Sequence, residues 1–215
     1  MNLDKEFVLA YIFESLSPWF AEHGYQALPQ KQQFRRQKTS GFTNCIFSIS
    51  VYEDVVWIEL HMGIRLEAVE GMVHRFTRGL PKFASDAHTV IFSEGKWKGQ
   101  PYLRHEARGI DELDQFITHC KELLSEEGFS FLDEHFTLSG VDTLLNGPES
   151  EAKRFHPNPA HRFIKGLVTA RLLQRTDFMQ LADEYEKKLL LTPTGSLLQN
   201  GFRRLRAYLE AMSLN

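Results

Sequence analysis

Apolar residues recur at three- and four-residue spacing over the first 23 positions, through Phe7, Val8, Ile12, Leu16, Trp19 and Phe20. That period predicts an amphipathic helix. Asp4 supplies an anion for its first turn, and Gly24 is a natural stop. Pro18 lies inside the pattern and predicts a kink or a break into two pieces.

The period then changes to two. Phe34-Arg35-Arg36-Gln37 reads as a short polar strand, followed by a turn at Thr39-Ser40-Gly41. Cys45, Phe47, Ile49 and Val51 alternate with Asn44, Ile46, Ser48 and Ser50. After Glu53-Asp54, Val56, Ile58, Leu60, Met62 and Ile64 alternate with Trp57, Glu59, His61 and Arg65. Two long alternating runs joined by short polar turns predict an antiparallel meander with one apolar face. Helices must cover that face.

From Leu66 to about Arg78 the helical period returns, ended by Gly79-Leu80-Pro81. His88 to Phe92 reads as a strand. Glu94-Gly95-Lys96-Trp97-Lys98-Gly99 reads as a hairpin tip, and Tyr102 to Glu106 as an edge strand after Pro101. A helix opens near Asp111 and stops at Gly128. One helix or a pair fills Phe129 to Leu145. Three more follow: Pro159 to Gln174, Asp177 to Leu190, and Ser196 to Met212 after the breaker Thr192-Pro193-Thr194-Gly195. The expected fold is α+β: an antiparallel sheet of about five strands, helices packed on one face, then a C-terminal helical segment.

Charge sharpens the organisation. The 215 residues carry a formal net charge of only -3, but unevenly. Residues 1–152 hold 14 Lys+Arg against 23 Asp+Glu; residues 153–215 hold 11 against 5. With the turn at Asn146-Gly147-Pro148, this predicts a 1–147 α+β domain and a 148–215 helical appendage docked on it by charge complementarity. Composition is that of a globular protein, 42% hydrophobic and 25% charged. No apolar run reaches the roughly 20 residues of a membrane span. The start lacks a basic n-region and a small-residue cleavage site. Two cysteines are too few for a disulfide framework, so a reducing cytoplasm is expected.

Motifs for chemistry are missing. There is no Cys-x-x-Cys, no His-Glu-x-x-His, no Gly-x-Ser-x-Gly and no phosphate-binding glycine loop. His156 and His161 are separated by Pro157, and strand parity sends His105 away from Arg104 and Glu106. Cys45 and Cys120 fall on apolar faces and read as core residues. Neither metal ligands, catalytic residues nor cofactors are assigned. The best constellation is Trp57, Glu59, His61 and Arg65 on one strand face, with Trp97 as an added aromatic. Its ordinary reading is a solvated sheet surface with a Glu59–His61 salt bridge that raises the histidine pKa. Its functional reading is a binding surface. Basic residues at Lys31, Arg35, Arg36 and Lys38, and at Arg203, Arg204 and Arg206, read as solvated faces rather than a nucleic-acid track.

The helix ending at Gly24-Tyr25, the Phe34-Arg35-Arg36 segment and the strands Asn44 to Tyr52 and Val55 to Arg65 resemble a family of bacterial domains of unknown function. Some members of that family are immunity proteins of polymorphic toxin systems. The resemblance spans about residues 5–140, carries no catalytic residues and implies toxin neutralisation by an acidic surface. The expected function is a non-catalytic, protein-binding module, able to form a homodimer through its sheet edges. The alternative is a small-molecule binder or unfamiliar hydrolase using the Glu59/His61 face.

Overall fold

The computed structural model describes residues 3–53, 55–77, 81–156, 158–192 and 196–213. The turn at Glu53-Asp54, the Gly79-Leu80-Pro81 stop and the Thr192-Pro193-Thr194-Gly195 breaker fall partly outside these residues, and Pro157 wholly so. The fold is α+β. Contacts divide the chain into two compact units: Met1–Ile64 with Ile91–Glu134, and Arg65–Val90 with His135–Asn215. Residues 148–215 thus share a unit with 65–90 and 135–147. No described helix is long and apolar enough to cross a membrane.

The first unit opens with helix α1 (Lys5–Glu22). The Asp4 carboxylate accepts the Phe7 N–H at 2.7 Å, capping the first turn. Gly24, at φ 78°, ends it, and the Tyr25 N–H returns to the Phe20 carbonyl. Pro18 neither breaks the helix nor divides it in two. Pro18 and Glu14 are both exposed, so the Glu14 carbonyl that loses its partner can meet water.

Strands β1 (Gln26–Leu28), β2 (Gln33–Lys38), β3 (Gly41–Tyr52) and β4 (Val55–Leu66) follow, then α2 (Glu67–Phe76), β5 (Val90–Ser93) and β6 (His105–Ala107). The sheet has six strands in the order β1-β2-β3-β4-β5, with β6 also pairing with β4. Phe34 lies opposite Cys45, which places both on the apolar face with Phe47 and Ile58. Helix α1 covers that face. The Phe13 and Phe20 rings stack on Phe34, with centroids 4.5 and 4.0 Å away. Helix α4 (Ile110–Leu123) adds Phe116, edge-on to Phe47 at 6.1 Å.

Two local expectations need correction. Residues 94–99 are not a hairpin tip, because β5 and β6 both pair with β4 rather than with each other. The connection holds a short helix, α3 (Glu94–Trp97), capped by the Ser93 hydroxyl. Gly128 does not stop α4 either. The chain passes through a π-helical turn at Leu124–Gly128 into α5 (Phe129–Glu134). A Cβ on Gly128 would lie 2.7 Å from a Leu124 methyl and 3.5 Å from the Met62 sulfur. That glycine permits close packing rather than helix termination.

The second unit is a helical body: α2 with α6 (Leu138–Asn146), α7 (Glu149–Ala152), α8 (Pro159–Leu172), α9 (Phe178–Leu191) and α10 (Ser196–Ala211). Helix α8 is its axis, buried from Ile164 through Ala170. Asn146 donates to the Gly166 carbonyl at 2.9 Å and accepts the Tyr185 hydroxyl at 2.6 Å. Lys165 and Glu70 form a buried ion pair at 3.2 Å.

Pro18→Ala restores a backbone hydrogen bond at an exposed position of a continuous helix. It should stabilise the chain by about 1–3 kcal/mol. Thermal unfolding checks this, and a lower melting temperature in the variant would show that the proline conformation is needed.

Candidate functional site

The sheet face predicted from sequence is only partly assembled. Trp57 is half-buried and lies opposite Glu106 of β6. Glu59 sits 3.6 Å from the Arg104 guanidinium. The expected rise in the His61 pKa is reversed. Burial pushes it down, outweighing the Glu59 charge, and Lys96 adds to the depression. Arg65 is buried at 4% exposure. Its guanidinium donates to Glu67 at 2.6 and 2.9 Å and to the Ala84 and Ala87 carbonyls at 2.7 and 2.9 Å. Trp97 packs against Phe131 and Phe92, with centroids 5.1 and 6.2 Å away, and Lys98 lies over its ring. The basic residues are engaged within the chain. Arg36 and Lys38 meet Asp133, while Arg203 and Arg206 meet Glu186. Cys45 and Cys120 are free, buried thiols, and burial holds both well above the ordinary range.

A second constellation lies on the other side of the same strand. Three elements each deliver one group. Glu94 is the first residue of α3, directly after its Ser93 cap. Gly95 lets this turn close. A Cβ there would collide with the Gln100 carbonyl oxygen and lie 2.9 Å from the Leu103 Cβ. The Gln100 N–H returns to the Gly95 carbonyl at 2.6 Å, which locks the turn. His105 is opposite Ile58 in the β6–β4 register, so its ring points to the core side. His119 rides on α4 three residues after Phe116, at the margin of that helix's buried stripe.

The three side chains converge. His105 Nε2 is 2.9 Å from one Glu94 carboxylate oxygen, and His119 Nε2 is 2.7 Å from the other. The ring centroids are 4.7 Å apart, and Phe116 backs His105 at 5.0 Å. The Glu94 side chain is only 4% exposed. Burial alone would raise its pKa. Hydrogen bonds from His105 and His119, with their charges, overcome this and hold it at about 2. The Glu94 hydrogen bond in turn raises the His119 pKa, against the effect of burial. An ionised carboxylate only accepts hydrogen bonds, so both Nε2 atoms donate in this arrangement.

The donor set also suits a metal ion. One ligand atom from each residue lies within 4.8 Å of the others. Two imidazole nitrogens and a carboxylate oxygen are the ligands of a three-coordinate protein site with a fourth position open. Divalent zinc sits about 2.0–2.2 Å from such atoms, so small side-chain shifts and loss of the two Nε2 protons would admit it. Beside the histidines opens a depression of about 320 Å³, lined also by Arg104, Glu106, Glu112, Gln115 and Phe116.

Comparison with protein-family models, with curated proteins and with solved structures finds no match for this chain. Function is therefore argued from the site itself. Sequence reasoning missed this cluster because its members stand 11 and 14 residues apart on three different elements. One signal was present. The parity that separates His105 from Arg104 and Glu106 is what turns it towards Glu94.

Gly95→Ala should shift the α3 turn and draw the Glu94 carboxylate away from both imidazoles. The expected readout is a change in the His105 and His119 ring resonances in NMR spectra of the folded protein. Unchanged ring shifts would show that Glu94 is not placed by this turn.

Proposed function

We propose that the chain binds a divalent metal ion of the zinc class through Glu94, His105 and His119, and presents its open coordination position to a small molecule in the adjoining depression. One observation carries this reading: a buried, ionised carboxylate bracketed by two imidazole Nε2 atoms at the edge of an open, polar hollow. The donor set fits zinc better than magnesium or calcium, which take oxygen ligands almost exclusively. Bound there, the ion would act as a Lewis acid or lower the pKa of a bound water, which is the chemistry of metal-dependent hydrolysis. The chain's own part is to fix three ligands and leave one side accessible. The protein-binding reading, with or without toxin immunity, draws on the uneven charge and the family resemblance, and no feature of this site adds to it.

After stripping with a chelator, the full chain should take up one zinc ion in calorimetric titration. Glu94→Gln, His105→Ala and His119→Ala should each weaken uptake about tenfold or more while the far-ultraviolet spectrum stays native. Absence of stoichiometric uptake by the parent chain would leave the triad as a hydrogen-bonded imidazole–carboxylate network and overturn the proposal.

A further inference from the structure

In the helical unit, the body of α8 is held by buried packing, but its entry is held by polar groups. The described residues of the α7–α8 connection, 153–156 and 158, are exposed or half-buried except His156, which is buried. His156 is therefore the anchor of this connection. Two residues later Asn158 caps α8. Its side-chain oxygen accepts the Ala160 N–H at 2.9 Å and the His161 N–H at 3.3 Å. Its carbonyl accepts the Arg162 N–H at 3.0 Å. The Asn158 N–H in turn donates to His156 Nδ1 at 3.3 Å. An N–H donates only to an unprotonated ring nitrogen, so the docked imidazole is neutral and carries its proton on Nε2.

The surroundings oppose a second proton on this ring. Among the described residues, the charges that act on it are Lys165 and His161 of α8 and His88 from the segment before β5, and each disfavours the imidazolium. The positive end of the α8 dipole lies beside it. The Lys165 ammonium is buried, 3.2 Å from Glu70 of α2, and donates to the His88 carbonyl. Glu70 is itself 3.8 Å from His74, and Arg65 at the end of β4 acts on Lys165. Burial, with these charges, pushes the His156 pKa down to about 2. Burial and Lys165 also depress that of His161, against the pull of Glu70. The two histidine rings lie nearly parallel, with centroids 6.0 Å apart.

We infer that His156 is an acid-released latch on the entry to α8. The neutral ring holds the α7–α8 connection down and keeps Asn158 in its capping position. A proton on Nδ1 would cancel the Asn158 bond and place a cation in a dry site already facing cations. Only the released ring accepts that proton. The stabilisation is complete above the ordinary histidine pKa of about 6.5 and is lost as pH falls below it. Each pH unit below that point favours the released form about tenfold. The stretch Ile164–Ala170 stays buried, so the opening is confined to the connection and the first turns of the helix.

The test is hydrogen exchange of the full chain, followed by NMR from about pH 7.5 to about pH 4.5. After correction for intrinsic exchange, the Arg162 and Phe163 amides should lose protection about tenfold per pH unit below about 6.5, while the amides of α9 keep theirs. His156→Asn keeps a hydrogen-bond acceptor near the place of Nδ1 but takes no proton, and should flatten that slope. His161→Asn should keep most of it. In the parent chain, the His156 ring resonances should not titrate with an ordinary histidine midpoint. Protection at Arg162 and Phe163 that ignores pH, an equal loss across α9, an unchanged slope in His156→Asn, or a His156 midpoint near 6.5 would each overturn the latch. None of these readouts depends on metal uptake, so the zinc proposal stands or falls separately.

Discussion

The burial of the Glu94 carboxylate is the constraint around which the functional side of the first unit is arranged. An ionised carboxylate removed from water costs several kcal/mol unless cations or strong donors replace the lost hydration. Here the replacement comes from two Nε2 atoms, one for each oxygen. The need for both explains why three separate elements meet at this point. A helix start supplies the carboxylate, a strand supplies one imidazole through its register, and a longer helix supplies the other. A divalent ion would answer the same electrostatic need more strongly than two imidazoles. The hydrogen bonds seen here, and coordination of an ion were one to bind, would be two solutions to one desolvation problem.

The route of the chain between β5 and β6 makes the arrangement possible. Both strands lie against β4, so the eleven-residue connection cannot close as a tight hairpin. It instead folds a single helical turn onto the core side of the sheet and returns through Gln100 and Leu103. Gly95 is the one residue type that this return tolerates, because backbone and a Leu103 methylene occupy the space where a side chain would begin. The sequence reading took the glycines and lysines of this segment as turn chemistry. That reading identified the flexible residue types and missed what they were flexible for.

Most of the fold was legible because its signals are local. Alternation from Asn44 to Arg65 specifies β3 and β4, and the three- to four-residue period specifies α1, α4 and the C-terminal helices. The failures were places where tertiary context outweighs a local rule. Pro18 is tolerated because it and Glu14, whose carbonyl loses its partner, are both exposed. Gly128 sits mid-path because Leu124 and Met62 crowd it. The site was less legible than the fold for the same reason. Trp57, Glu59 and His61 stood out because they are neighbours on one strand, whereas Glu94, His105 and His119 become neighbours only after β6 has registered on β4. Desolvation also reversed the expected behaviour of His61, an effect that sequence spacing does not encode.

The most direct measurement is zinc-edge X-ray absorption spectroscopy of the zinc-loaded full chain. The account expects a first shell of nitrogen and oxygen near 2.0–2.1 Å, with outer-shell scattering from two imidazole rings and no sulfur. A sulfur shell near 2.3 Å would place the ion on a cysteine. That result, or a shell without imidazole scattering, would contradict the assignment of Glu94, His105 and His119 as the metal centre.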